Sequence, residues 1–345
     1  MFYYFVLAIL VSMSATFLVR KLALKCHAVD IPDGKRKKHR EAVPLWGGLA
    51  LFVSFWLTVL ICILIGKPYT LQVYFSKLWG IFFGSLLLVA VGLVDDKRPL
   101  SVYVRFLAAI AAILISIWGG IGLNKITHPG GGIIDLTIYR VGMIALGQII
   151  VFFWLLVTMF TTKILDGLDG LSSGISLIGG LMIFLLAETK KYYQPDIALV
   201  ALIFAGVCLG FLFFNFHPAK IFLGEGGSLF VGFMLGILAV ISGGKIATTL
   251  LVVAIPMLDL VRVIWVRHKT KHPIFEGDRE HLHFRLLDYG FSEKKTVLFL
   301  YAVAIAFGLT TFFLQSKFKL ITLLGLALAM VLVGVWLQQT AKNNK

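Results

Sequence analysis

Runs of about twenty apolar residues recur along nearly the whole chain and limit its fold more than any other feature. A helix needs about 20 such residues to cross a hydrocarbon core about 30 Å thick. Eleven runs qualify, at 2–19, 45–66, 78–94, 102–122, 141–160, 171–187, 197–216, 226–242, 246–266, 296–314 and 320–337. In lipid each backbone polar group must be bonded within its own segment, so these runs predict helices and not open sheets. The expectation is an all-α polytopic integral membrane protein of about 11 transmembrane helices, a single domain over 1–345. Composition agrees, with 59% hydrophobic and 14% charged residues, where soluble domains carry about 25% charged. That excludes a soluble enzyme, a disordered chain and a nucleic-acid-binding module. Cys26, Cys62 and Cys208 have no metal spacing and imply no disulfide framework.

Charge orients the helices. No basic residue precedes the first run, and Arg20 and Lys21 follow it directly. A cleaved signal has the opposite order, so an anchor is expected, with the N-terminus outside and the C-terminus cytoplasmic. Threaded from that start, 23 of the 32 Lys and Arg face the cytoplasm, with 14 of the 17 acids and seven of the eight histidines. The bias follows the positive-inside rule. The net charge of +15 then reads as cytoplasmic loops meeting anionic lipid or substrate, with no nucleic acid.

The expected cytoplasmic segments are 20–44, 95–101, 161–170, 217–226 and 267–295. None can hold a nucleotide-binding domain of roughly 100 residues. A polar co-substrate would therefore bind in a cytoplasmic-face cleft made of loops and helix ends. The outer stretch 123–141 contains Gly130–Gly132 and the alternating Ile134–Tyr139, which predicts a short strand or hairpin.

The acids fall at helix ends. Asp95 and Asp96 end the third run; Asp166 and Asp169 follow the fifth within Asp166-Gly167-Leu168-Asp169-Gly170. Glu225 opens the eighth within Gly224-Glu225-Gly226-Gly227-Ser228. Carboxylates gathered at one face repel unless cations compensate them. Without metal-spaced histidines or cysteines they suit Mg²⁺, with Mn²⁺ as the second choice. Any one of them taken alone reads better as a solvated helix end. The surrounding glycines and the helix N-termini beside them shift the balance toward a metal–phosphate site.

Basic segments fit that picture. The run Lys35–Arg40, with Lys38 and His39, reads either as a membrane-surface anchor or as a phosphate contact. Arg279, His281 and His283 suit phosphate better than zinc, since no further ligand has zinc spacing. Asp259 and Arg262, three apart, read as a structural intrahelical pair. Gly206/Gly210 and Gly232/Gly236 read as helix-packing positions.

With these motifs in order, the chain resembles the polyprenyl-phosphate N-acetylhexosamine-1-phosphate transferases, in the bacterial WecA/TagO-type branch. The resemblance runs from about residue 28 to 295. It rests on Asp30–Asp33 with Arg36–His39, Pro44 and Gly47-Gly48; Gly92–Asp96 with Leu100-Ser101; Asp166–Leu171; Asn215–Phe222; and Asp278–His283. It implies a multi-pass enzyme of the bacterial cytoplasmic (inner) membrane. The implied reaction moves N-acetylhexosamine-1-phosphate, with GlcNAc preferred, from a UDP-N-acetylhexosamine to undecaprenyl phosphate. UMP leaves, and the product starts a cell-envelope glycan such as a lipopolysaccharide or teichoic acid.

By the same resemblance Asp95 and Asp96 bind and activate the lipid phosphate and share metal ligation with Glu225. Asp169 is placed with the catalytic acids and, with Leu168, in the uridine pocket. Phe222 stacks on uracil and Asn215 lines the nucleotide site. Asp166, Lys38, His39, Arg105, Lys163, Arg279, His281 and His283 complete the substrate contacts.

Four positions depart from the family pattern. Glu225 stands where aspartate is usual, Lys163 lies where asparagines often stand, Phe284 replaces a third histidine, and Arg105 replaces a lysine. Three other readings stay open: the related phospho-N-acetylmuramoyl-pentapeptide-transferase type, a catalytically weak homologue, and an ion-coupled transporter. The last is disfavoured because the acids sit at helix ends and not near the bilayer midplane. The oligomeric state stays open, a homodimer included.

Overall fold

The apolar runs fold into helices. The computed structural model describes residues 1–32, 42–65, 75–127, 132–190, 193–243, 246–270, 281–314, 318, 321–322 and 324–325. In chain order the helices are α1 (Phe2–Lys25), α2 (Gly47–Ile65), α3 (Phe75–Lys97), α4 (Val102–Trp118), α5 (Leu146–Leu165), α6 (Leu171–Glu188), α7 (Pro195–Asn215), α8 (Gly224–Ile241), α9 (Ile246–Val252), α10 (Ala254–Thr270), α11 (Leu282–Asp288) and α12 (Glu293–Phe313). Local chemistry sets several ends. Ser101 caps α4 by accepting from Val104 N, and Ser292 caps α12 by accepting from Lys295 N. Pro195 stands at the first position of α7, where its missing N–H costs nothing.

Among the described residues eight helices are long and apolar enough to cross a membrane, and α9 with α10 pass the same test together as a bent pair, a broken span or a re-entrant loop. That break corrects the expectation of one straight helix over 246–266: the two pieces meet at 76°, with Pro256 in the first turn of α10. Pro256 has no N–H for an unbroken ladder and crowds the preceding turn. Helix α4 has 17 residues, fewer than the expected run. Helix α5 starts five residues later than the fifth run because Val141–Ala145 is taken up by strands. Most of the eleventh run lies outside the described residues.

Helix α8 is the centre of the bundle. Every residue from Gly226 to Val240 is buried, against α2, α3, α5, α6, α7 and α9. Helices in lipid gain little from apolar burial against each other, so close packing of small residues and polar bonds matter more. Thr162 Oγ1 donates 2.8 Å to Ser228 O and Trp154 Nε1 donates 3.0 Å to Gly236 O, tying α5 to α8. A β-carbon at Gly232 would lie 2.2 Å from Thr162 Oγ1, and one at Gly210 would lie 2.6 Å from Ile9 O. The packing role expected for both glycine pairs is therefore what they perform.

The strands are short. β1 (Val29–Asp30) pairs with β2 (Val43–Pro44), β3 (Lys125–Thr127) with β4 (Ile133–Asp135), and β5 (Arg140–Val141) with β6 (Ile144–Ala145), all antiparallel. The β3–β4 hairpin lies in the stretch where one was expected. Strand β2 matters for the site. Pro44 O accepts from Phe222 N at 2.9 Å, while Gly47 N and Gly48 N donate to Phe222 O and Leu223 O at 3.0 and 2.9 Å. The free N–H groups at the start of α2 thereby cap the loop that leads into α8.

Candidate active site

Three helix ends meet at one end of the bundle. Helix α3 delivers Asp95 and Asp96, the turn after α5 delivers Asp166 and Asp169, and α8 delivers Glu225 in its first turn. The meeting of α3 and α8 is backbone on backbone. A β-carbon at Gly92 would lie 2.2 Å from Gly226 Cα and 2.3 Å from Gly226 N, so no larger residue fits there. Gly224 takes φ +73, a left-handed conformation that turns the chain into α8. Glu225 N then donates 2.9 Å to Asp96 Oδ1.

Two long cations answer the acids. Arg105 of α4 places Nη1 3.6 Å from both Asp95 Oδ2 and Glu225 Oε2. Lys163 of α5 bonds Glu225 Oε1 through Nζ. Asp95 Oδ1 also accepts Leu100 N at 2.7 Å. Negative charge remains in excess: burial, and then the nearby Asp96, Glu225 and Asp169, push the Asp166 carboxyl well above the ordinary carboxylate range. Of the cluster's side chains, Arg105 Nε is buried with no hydrogen-bond partner.

Hard carboxylates with uncompensated charge fit a divalent oxygen-seeking cation. Asp95, Asp96 and Glu225 are the residues that would hold it, although among the described residues the ligand atoms that lie within 4.8 Å of one another are those of Asp169, His217 and Glu293.

Asp169 faces a different group. Its Oδ2 accepts Ala219 N at 3.0 Å and lies 2.9 Å from His217 Nδ1, which is 2.7 Å from Glu293 Oε2. The Tyr301 hydroxyl donates to Gly170 O and fixes the same turn from α12. His217 and Glu293 received no role from the sequence. His217 stands inside a quoted motif, but nothing local links it to Glu293.

Leu168 is 4% exposed and belongs to the core. Asn215 is buried; its Oδ1 accepts from Ser173 and its Nδ2 donates to Ile221 O. That leaves Asn215 holding the 216–223 loop from within. Phe222 is half-buried on the same loop.

The histidines reach the acids through α10. Asp259 Oδ2 receives Leu282 N at 3.0 Å and His281 Nδ1 at 2.9 Å, which docks α11 on α10. His281 and His283 stack with ring centres 5.7 Å apart. His283 and Phe284 close over Gly167, where a β-carbon would lie 2.8 Å from His283 Nε2 and from Phe284 Cζ. Burial, helped by neighbouring His281, lowers the His283 pKa to about 3, and its buried Nε2 has no hydrogen-bond partner. Lys38, His39 and Arg279 lie outside the described residues.

Acids faced by long cations, at the end of an apolar helical bundle, form the candidate active site. A profile of the family described as glycosyl transferase family 4 matches residues 78–243. A Bacillus subtilis protein named probable undecaprenyl-phosphate N-acetylglucosaminyl 1-phosphate transferase is 31% identical over 90% of this chain and 84% of its own. A Mycobacterium tuberculosis decaprenyl-phosphate N-acetylglucosaminephosphotransferase is 31% identical over 95% and 86%. A Moorella thermoacetica phospho-N-acetylmuramoyl-pentapeptide-transferase is 30% identical over 82% and 88%. The chain belongs to glycosyl transferase family 4.

Proposed function

We propose that this protein transfers N-acetylglucosamine-1-phosphate from UDP-N-acetylglucosamine to undecaprenyl phosphate in the bacterial cytoplasmic membrane. The observation that carries the reading is the meeting of Asp95, Asp96, Asp166 and Glu225 with Arg105 and Lys163 at one end of an apolar bundle. Eleven spans, with the N-terminus outside and this end cytoplasmic, bring a lipid phosphate and a soluble nucleotide sugar to the same place. The names of the relatives from Bacillus subtilis and Mycobacterium tuberculosis support the sugar and the lipid class.

In the reaction a lipid phosphate oxygen attacks the donor phosphorus that carries the sugar. The bond to the uridine-side phosphate breaks, and UMP leaves. The chain positions two anions that repel each other and neutralises them, which is most of what phosphoryl transfer needs. Asp96, fixed by Glu225 N, faces the lipid phosphate and takes its proton where one is present; Asp95 keeps Arg105 in place. Arg105 Nε, without a hydrogen-bond partner among the described residues, is a donor for a phosphate oxygen, and the neutral His283 is one in the tautomer that carries its proton on Nε2. Mg²⁺, held by Asp95, Asp96 and Glu225, would supply further charge neutralisation.

The test uses purified full-length protein, undecaprenyl phosphate, Mg²⁺ and a panel of UDP-N-acetylhexosamines that includes UDP-N-acetylmuramoyl-pentapeptide. UMP release with a lipid-linked GlcNAc diphosphate by mass is expected. Product from the pentapeptide donor alone would replace the donor assignment; no product from any donor would refute the activity.

A further inference from the structure

Glu225 has the longest arm of the acids in the cluster, and both of its oxygens already meet a cation. Oε1 bonds Lys163 Nζ, and Oε2 lies 3.6 Å from Arg105 Nη1. The two cations differ in freedom. Arg105 is anchored a second time, on Asp95, whereas among the described residues the hydrogen bond and ion pair of Lys163 go to Glu225 alone, with Nζ 5.8 Å from the Phe160 ring centre. Its side chain is 30% exposed, against 12% for Glu225, so it holds the carboxylate from the open side. Lysine is a compact charge on a flexible four-carbon stem, able to leave without dismantling a planar fork. Asp96 is held by main-chain N–H groups and forms no side-chain ion pair among the described residues.

From this geometry we infer that Lys163 is a built-in counter-cation that competes with the divalent ion for Glu225, so that metal binding displaces it. The inference rests on the reading that Glu225, Asp95 and Asp96 receive the metal. It also joins two positions that the resemblance marks as departures: Glu225 and Lys163 sit on different helices, 62 residues apart, yet contact each other. The extra methylene of glutamate, about 1.5 Å of reach, carries the carboxylate toward Lys163.

The probe is Mn²⁺ alone, added to the purified full chain without substrates, with bound ion read from loss of the aqueous Mn²⁺ EPR signal. Wild type is compared with Lys163→Met, Lys163→Gln, Lys163→Arg and Glu225→Gln. Glu293→Gln serves as control for the Asp169, His217 and Glu293 group, whose ligand atoms lie within 4.8 Å of one another.

Removing a unit charge about 4 Å from a divalent ion in a partly wet site is worth roughly tenfold or more in affinity. Lys163→Met and Lys163→Gln are therefore expected to bind Mn²⁺ at least about tenfold tighter than wild type, with Lys163→Arg within about threefold and Glu225→Gln losing the site. Should Lys163→Met fail to fold by size exclusion, Lys163→Gln decides, since its amide still donates to Glu225. Wild-type binding that depends on Glu225 but is unchanged or weaker in the folded neutral variant overturns the inference and leaves the metal reading intact. No Mn²⁺ bound by wild type or the neutral variants at millimolar concentration removes the metal reading, and this inference with it.

Discussion

Glu225 and Asp259 are both acids on helices of this bundle with an arginine in reach, yet they end in opposite conditions. Asp259 is 2% exposed. Its Oδ1 accepts Arg262 Nε and Nη2 at 3.1 and 2.7 Å, and its Oδ2 meets His281 Nδ1 and Leu282 N at 2.9 and 3.0 Å. Four hydrogen bonds from three residues, Arg262, His281 and Leu282, satisfy it. Glu225 is held by two long side chains from other helices, with Asp95, Asp96 and Asp166 close by. A carboxylate bonded by main chain and by near neighbours joins elements together, whereas one met only by long flexible side chains can change partners without loss of a helix contact. Asp259 is thus the structural pair the sequence suggested, with one addition: it also seats α11.

The largest effect that sharpens this contrast is on turnover. Asp96→Asn is expected to lower transfer by about a thousandfold or more, with unchanged size-exclusion behaviour and thermal midpoint. Asp259→Asn is expected to keep most of the turnover per folded molecule. Loss of turnover in a fully stable Asp259→Asn would break the contrast.

Next in size is stability. Asp259→Ala removes the carboxylate that bonds Arg262, the buried His281 and Leu282 N and is expected to cost about 3 kcal/mol, seen as a lowered melting midpoint in detergent. Asp96→Ala removes one of several repelling charges and is expected to leave the midpoint unchanged or raise it.

The smallest effect is a pH dependence. The His283 pKa is about 3 in the folded protein and about 6.5 when unfolded, so the unfolded state binds more protons between these values. Stability is complete above about 6.5 and declines as pH falls toward 3, by about 1 kcal/mol between pH 7 and 5.5. His283→Phe should remove that part of the slope in melts recorded across this range.

The helices were legible because lipid leaves a chain few choices. The break between α9 and α10 was hidden, since the run through Leu250–Ile255 is uniformly apolar and only Pro256 marks it. The acids of the site were legible as helix-end residues flanked by glycine. Their partners were not: Arg105 and Lys163 reach Glu225 across the bundle from α4 and α5, and His217 meets Glu293 across 76 residues. Sequence periodicity reports which side of a helix is apolar, not which helix it meets. Asn215 illustrates the same limit, because a buried amide bonded to Ser173 and Ile221 cannot be told from a ligand contact by its motif alone.

The contact of Gly92 with Gly226 has a consequence for how such a site can vary between lineages. Because α3 and α8 touch through main chain there, the separation of Asp96 and Glu225 is inherited from helix register and is closed to gradual adjustment by side-chain size. The cations on α4 and α5 face no such restriction. Exchange of a base on α4 or α5 would therefore change the charge balance while the main-chain contact of α3 with α8 stays where the glycines put it.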